Sequence, residues 1–174
     1  RVADELTKAY GYNDWGECFT FADPKEVWHF EIHGPGKGKK GAVWAAQRVP
    51  DDEIGVSANA GRIREIDLSN SDFYMASANV TALAEEMGYW SKASGKPFEF
   101  TYAYDPDSRT SLYCRRREWR VLSLLAPSLK LNPESENYPF SVKPDKKVSV
   151  ADVLAIFRDA YGGTDYDLTR TLTA

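Results

Sequence analysis

Three side chains that commonly bind metal ions alternate along one predicted strand: His29, Glu31 and His33. Successive side chains of a strand point to opposite faces of the sheet, so these three share one face. Each two-residue step covers about 6.7 Å, which places the two histidines about 13 Å apart. A zinc ion, with bonds of about 2 Å to nitrogen, cannot join them. The spacing therefore favours a solvated sheet face over a metal site.

A second cluster is the arginine-rich segment 115–120 within a predicted helix. Arg117 lies three residues after Cys114 and four before Val121, so helical spacing places it on the apolar stripe. A charge on a buried face is costly unless it is paired. Two interpretations stay open. In the first, Arg117 has a structural role, and its side chain either reaches solvent or pairs with an internal carboxylate. In the second, it points into a polar cleft, where it binds a carboxylate or lowers the pKa of a nearby thiol.

The segment 57–63, Ser-Ala-Asn-Ala-Gly-Arg-Ile, follows a predicted strand. The side-chain amide of Asn59 is a suitable donor to an oxyanion, although Asn-x-Gly is also ordinary loop chemistry. The two cysteines, Cys18 and Cys114, are too few for a disulfide scaffold, and they either form one bridge or stay free.

The elements that must position these residues change in character along the chain. A short helix is predicted first, then a run of strands with short connections, which indicates an antiparallel sheet. Helices follow, and this order favours an α+β fold. The first helix is predicted at 2–10, the strands at 18–22, 27–33, 42–49 and 53–57, an extended piece at 98–104, and the later helices at 79–87, 112–126 and 150–161.

Composition narrows the class of protein. The 174 residues are 43% hydrophobic and 28% charged, which is typical of a globular domain and excludes a disordered tail. We interpret 1–174 as one domain, strand-rich over 17–66 and helix-rich over 79–163. The net charge of −4 disfavours a nucleic-acid-binding protein. No stretch approaches the roughly 20 apolar residues of a membrane-spanning helix.

Five segments stand in a recognisable order: Glu-Val-Trp-His-Phe-Glu-Ile at 26–32, Gly-Ala-Val-Trp-Ala at 41–45, Ser-Ala-Asn-Ala-Gly-Arg-Ile at 57–63, Tyr-Cys-Arg-Arg-Arg-Glu-Trp-Arg-Val-Leu-Ser-Leu-Leu-Ala-Pro at 113–127 and Tyr-Pro-Phe-Ser-Val-Lys-Pro-Asp at 138–145. Together they resemble the dipeptidase A family of cysteine peptidases, which are N-terminal-nucleophile hydrolases. The resemblance runs from about residue 17 to residue 167. It implies part of a four-layer αββα sandwich with antiparallel sheets.

The resemblance also implies a mechanism. A cysteine at the mature N-terminus attacks the peptide carbonyl, its own α-amino group acts as the base, and an acyl-enzyme is hydrolysed, with no metal or other cofactor. It implies catalytic roles for Asn59 and Arg117, and a weaker match suggests Arg62 as a residue that binds the substrate carboxylate. Residue 1 is arginine, and neither Cys18 nor Cys114 stands where the nucleophile belongs. We therefore expect an internal segment of a dipeptidase, inactive alone.

Other functions remain open at this stage. A different amide hydrolase of the same fold is one alternative. A non-catalytic module that binds a glycan or an anion is another, for which the basic loop with Lys37, Lys39 and Lys40 is a candidate. The partners expected are a dipeptide substrate, the remainder of the parent chain and other copies of the protein in a homo-oligomer, with neither nucleic acid nor membrane among them. The sequence does not distinguish a cytoplasmic from an exported parent.

Overall fold

The computed structural model describes residues 1–12, 15–36 and 39–170. They form a four-stranded sheet and a two-stranded sheet, both antiparallel, together with α-helices, which confirms the α+β class. No helix in these ranges has both the length and the apolar character needed to cross a bilayer. Lys37 of the predicted basic loop lies outside the described residues, and Lys39 forms an ion pair with Glu86.

The elements are as follows. The strands are β1 (Glu17–Ala22), β2 (Val27–His33), β3 (Val43–Val49), β4 (Ile54–Gly55), β5 (Tyr74–Ala76) and β6 (Ser141–Val142). The helices are α1 (Val2–Tyr10), α2 (Val80–Glu86), α3 (Phe100–Tyr104), α4 (Leu112–Leu125) and α5 (Val150–Phe157).

The large sheet has the order β1-β2-β3-β5, and its first two strands form the predicted hairpin. Asp23 closes the turn, because its Oδ1 accepts hydrogen bonds from the backbone N–H groups of Lys25 and Glu26 at 2.7 and 2.9 Å. The register places Cys18 opposite Glu31. Both side chains therefore belong to the same face of the sheet.

That face is the buried one. It contributes Val43 and Ala45, both fully buried, to a core that also contains residues of helices α2 and α3. The opposite face carries an aromatic row. Its members Phe19 and Phe21 are 46% and 57% exposed.

Helix α4 packs across the small sheet. Its N-terminus is capped by Ser111, whose hydroxyl accepts from the Cys114 backbone N–H. Trp119 and Leu122 then form a second core with Tyr138 and Val142. Since β4 pairs with β6, this packing brings the loop that follows β4 against α4.

Several element predictions were wrong in type or extent. The stretch 98–104 was predicted as extended, but its residues Phe100–Tyr104 form helix α3. Phe100 is fully buried in the core, and the backbone N–H groups of Phe100 and Thr101 bond to the chain at 63–64. The strand predicted at 53–57 is two residues long. Helix α5 begins at the predicted cap, Ser149, but ends at Phe157 rather than at Tyr161, whose φ is +61°.

Candidate functional site

The loop 57–63 is held in place by one buried carboxylate. Glu31, on the buried face of β2, is fully inaccessible to solvent. Its Oε1 accepts the backbone N–H groups of Arg62 and Ile63, the latter at 2.9 Å, and its Oε2 accepts the Thr101 hydroxyl at 3.2 Å. These bonds supply partners to backbone donors that would otherwise be buried without any. The conformation of the loop therefore depends on Glu31.

Gly61 is required by this close approach. A Cβ atom at position 61 would lie 2.7 Å from the Thr101 side chain and 2.9 Å from Glu31 Oε2. No side chain fits between them. The same loop turns sharply at Asn59, whose φ of +57° is in the left-handed region, where asparagine is among the few tolerated residues.

Helix α4 presents Arg117 to the same loop. Its Nη1 donates to Asn59 Oδ1 at 2.9 Å, and its Nη2 donates to the Ala58 carbonyl at 2.8 Å. Its Nε bonds to the Tyr113 carbonyl, and its guanidinium lies 4.2 Å from the centroid of the Tyr113 ring. The two residues predicted to be catalytic are thus in direct contact, although they are 58 positions apart.

This contact orients the amide of Asn59. Because the guanidinium donates to Oδ1, the Nδ2 group is directed to the other side, where both of its protons are available to an acceptor. An amide held in this way is a preorganised donor to a developing oxyanion. Arg117 is engaged with Asn59 and two backbone carbonyls. Its contacts therefore favour a positioning role over direct binding of substrate.

The two cysteines lie on either side of this loop and are not bonded to each other. The Cys114 thiol donates to the Asn59 carbonyl at 3.5 Å, and the Cys18 thiol to the Ala60 carbonyl at 3.8 Å. Burial, together with the charge of Glu31, raises the pKa of Cys18 to about 12. A thiol that stays protonated at neutral pH is a poor nucleophile.

Arg62 points away from Asn59 and makes a buried pair with helix α4. Its Nη1 donates to Glu118 Oε2 at 2.5 Å, its Nη2 donates to the Pro139 carbonyl, and the residue is only 8% exposed. Arg115 is buried beside this pair. Arg62 already binds a carboxylate of its own chain, so its predicted role with substrate stays a prediction.

We predict a pH dependence of stability that comes from Glu118. Burial raises the pKa of Glu118 from its ordinary 4.5 to about 7, although the charge of Arg62 opposes the rise. Between these values the folded state holds a proton that the unfolded state has released, so stability falls as the pH rises from 4.5 to 7. Glu118→Gln removes the titrating group. The difference in the free energy of unfolding between wild type and this variant should change by up to about 1.4 kcal/mol per pH unit.

Denaturant unfolding of both proteins across this pH range measures the effect. Glu134→Gln is a suitable control, since Glu134 is exposed on the surface beside Arg116. If the wild type instead gained stability relative to Glu118→Gln with rising pH, the charge of Arg62 would outweigh burial, and the prediction would be wrong.

The interpretation of His29, Glu31 and His33 as a solvated face was wrong. They are 7%, 0% and 6% exposed, because the loop 57–63 and helix α3 cover this side of the sheet. His29 Nε2 is bonded to Glu31 Oε1 at 3.0 Å, and the His33 ring packs against Phe100. Alternation of polar residues does not reveal which face meets solvent.

The assignment of Arg117 to the buried stripe of α4 was also inaccurate. Arg117 is half-buried, whereas Arg115 and Glu118 are the charged residues buried on this helix. Arg115 and Glu118 were missed as members of the site. Charged residues are normally assigned to the surface of a helix. Burial of either residue requires a charged or hydrogen-bonding partner, which sequence spacing does not indicate.

A cavity of about 620 Å³ opens between the β1–β2 turn and the segment around β4. Its wall includes His29, Ser57, Arg62 and Phe140, and neither Asn59 nor Arg117 belongs to it. The volume is within the usual range of small-molecule pockets. The Asn59–Arg117 contact is therefore not part of this cavity.

Comparison with known proteins identifies the family. The profile described as Peptidase family C69 matches residues 1–174. The chain belongs to peptidase family C69. This result confirms the resemblance to dipeptidases, and it places the Asn59–Arg117 contact in a family of peptide hydrolases.

Curated relatives of this C69 chain carry consistent names. A "Probable dipeptidase" of Salmonella dublin is 36% identical over 157 residues, which are 87% of this chain and 34% of that protein. A "Probable dipeptidase" of Latilactobacillus sakei is 32% identical over 167 residues, 95% of this chain and 33% of that protein. A "Probable dipeptidase B" of Lactococcus lactis is 29% identical over 94% of this chain. The chain spans about a third of the length of these relatives.

Proposed function

We propose that the full-length protein is a cysteine-type dipeptidase and that this chain supplies the oxyanion side of its active site. The observation that carries the proposal is the contact of Arg117 with Asn59 in a chain of family C69. Relatives of three genera are named as dipeptidases, which supports a dipeptide as the substrate.

In the proposed reaction a cysteine thiolate at the mature N-terminus, outside this chain, attacks the carbonyl carbon of the dipeptide. The α-amino group of that cysteine takes the thiol proton and later gives it to the leaving amine. The carbonyl oxygen becomes an oxyanion and accepts a hydrogen bond from Asn59 Nδ2. Water then releases the acyl group. Arg117 keeps the amide of Asn59 in the orientation that this donation requires.

The fold that accompanies this proposal is a four-layer αββα sandwich. We assign the sheet β1-β2-β3-β5 to one of its two inner layers. The aromatic row on the outer face of this sheet, with Phe19 and Phe21 about half exposed, supports the assignment, since a sheet face of this composition is normally covered. We also propose that this chain forms homo-oligomers through the same face when it is separated from the rest of the protein, since the other sheet of the sandwich covers that face only in the full-length protein.

A paired assay tests the function. This chain and the full-length protein are compared on dipeptides, on N-acylated amino acids and on bile-salt conjugates, with and without a thiol-alkylating reagent. We expect hydrolysis of dipeptides by the full-length protein only, and its loss after alkylation.

Each other outcome has a defined meaning. Turnover by the short chain would place the nucleophile at Cys18 or Cys114 and contradict the proposal. Preference for acylated amino acids or bile-salt conjugates would favour a different amide hydrolase. If neither protein turned over any substrate, a binding module would become the better interpretation.

A further inference from the structure

Cys18, His29 and Glu31 form a compact set of potential metal ligands. One ligand atom from each residue lies within 4.8 Å of the other two. Glu31 and His29 are buried, Cys18 is half-buried, and the three belong to the adjacent strands β1 and β2. Thiolate, imidazole and carboxylate are the three groups that bind Zn²⁺ in proteins. We propose that these residues bind one divalent zinc-class metal ion, independently of the peptidase chemistry.

The distances suit such an ion. Ligand atoms around a tetrahedral zinc, with bonds of about 2.0 to 2.3 Å, lie roughly 3.3 to 3.8 Å apart. His29 Nε2 and Glu31 Oε1 are 3.0 Å apart, and the ligand atoms of all three residues lie within 4.8 Å of one another. The three separations are therefore close to those that one bound ion requires.

Binding is compatible with the structural role of Glu31. The carboxylate has about four lone-pair positions, and it accepts from two backbone N–H groups, from Thr101 and from His29. A metal ion would replace the proton shared with His29 and leave the other three bonds intact. Those three bonds would then act as the outer hydrogen bonds that orient a coordinating carboxylate.

The surroundings also favour a cation with an open coordination position. The negative charges of Glu31, Asp105 and Glu17 all act on the sulfur of Cys18. His29 lines the 620 Å³ cavity, which gives a metal ion a route to the site and leaves room for water as a fourth ligand. His33, on the same face, is not part of the cluster, in agreement with the spacing of the two histidines.

Cobalt(II) is the probe for this proposal, since a cobalt–thiolate bond gives a near-ultraviolet charge-transfer band. The full-length protein used for the titration carries serine in place of the proposed N-terminal nucleophile, whose thiolate would give a cobalt band of its own. This protein, taken as the wild type for the titration, and its Cys18→Ser and Cys114→Ser variants are titrated with Co²⁺. We expect the band in wild type and in Cys114→Ser, its displacement by Zn²⁺, and its absence in Cys18→Ser. His29→Gln retains the sulfur of Cys18 as a metal ligand but should weaken cobalt binding at least about tenfold.

Circular dichroism verifies that each variant is folded, and His29→Gln supplies an independent test if Cys18→Ser is not. The proposal is overturned if wild type gives no band, if the band persists in Cys18→Ser, or if Cys114→Ser removes it. Unchanged cobalt affinity in folded His29→Gln would also exclude the three-ligand site. None of these outcomes depends on whether the protein is a dipeptidase.

Discussion

Replacement of Arg117 by alanine is expected to lower kcat/KM of the full-length protein for dipeptides at least about tenfold, equivalent to about 1.4 kcal/mol of barrier. The loss arises because Asn59 would no longer be held with its Nδ2 group toward the substrate oxygen. A donor that must reorganise during the reaction stabilises an oxyanion less than a preorganised one. Steady-state kinetics on purified variants measure the effect, which should appear mainly in kcat.

Two further variants separate geometry from charge. Arg117→Lys retains the charge but not the planar fork that reaches both Asn59 Oδ1 and the Ala58 carbonyl, so we expect it to be almost as impaired as alanine. Arg116→Ala is the matched control, because Arg116 lies on the same helix but pairs with Glu134 and stacks on Tyr166. Wild-type kinetics for Arg117→Ala would remove Arg117 from the mechanism.

Replacement of Glu31 by alanine should cause the largest loss of stability, roughly 3 to 5 kcal/mol. It leaves the buried backbone N–H groups of Arg62 and Ile63 without an acceptor, and each unsatisfied group costs about 1 to 3 kcal/mol. It also leaves a cavity next to Thr101. Denaturant unfolding of the folded variants, or the thermal midpoint, measures the loss.

Glu31→Gln is the control for this prediction. The amide oxygen of glutamine can still accept hydrogen bonds from the backbone N–H groups of Arg62 and Ile63. Its amide nitrogen can donate to the Thr101 hydroxyl oxygen, while that hydroxyl donates its own proton to the Ile63 carbonyl. We expect it to lose much less stability than the alanine variant. Equal losses for the two substitutions would mean that the negative charge, rather than the hydrogen bonds, is what the fold requires.

Parts of the fold were predictable from local pattern. The hairpin of β1 and β2 follows from strand formers on either side of Asp23-Pro24, and Pro127 marks the end of helix α4. The capping box at Ser149 and Asp152 was visible as a start signal. In each case the information lies within a few residues of the feature, where backbone preferences act directly.

The pairing of β4 with β6 was not predictable, because each strand is two residues long and its partner lies almost ninety positions away. The helix at 100–104 was missed for a related reason. Its phenylalanine, threonine and tyrosines favour strands locally, and burial of Phe100 against the sheet overrides that preference.

In the candidate site, too, some residues were predictable from the sequence and others were not. Arg117 stood out because helical spacing placed a charge on an apolar stripe, and Asn59 because it follows a strand. Glu31 was judged a surface residue, since the donors that justify its burial are backbone N–H groups 31 and 32 positions along the chain. Every residue except proline has a backbone N–H group, so residue types do not show which of these groups a buried carboxylate binds. No spacing rule could therefore have predicted this interaction.

A double-mutant cycle on Asn59 and Arg117 in the full-length protein tests the central claim most directly. Asn59→Gly is the suitable single variant, because glycine adopts the φ of +57° without strain and removes only the amide. If Arg117 acts by orienting Asn59, the double variant should be no slower on dipeptides than Asn59→Gly alone. Losses that simply add, or a wild-type rate for Asn59→Gly, would contradict the account.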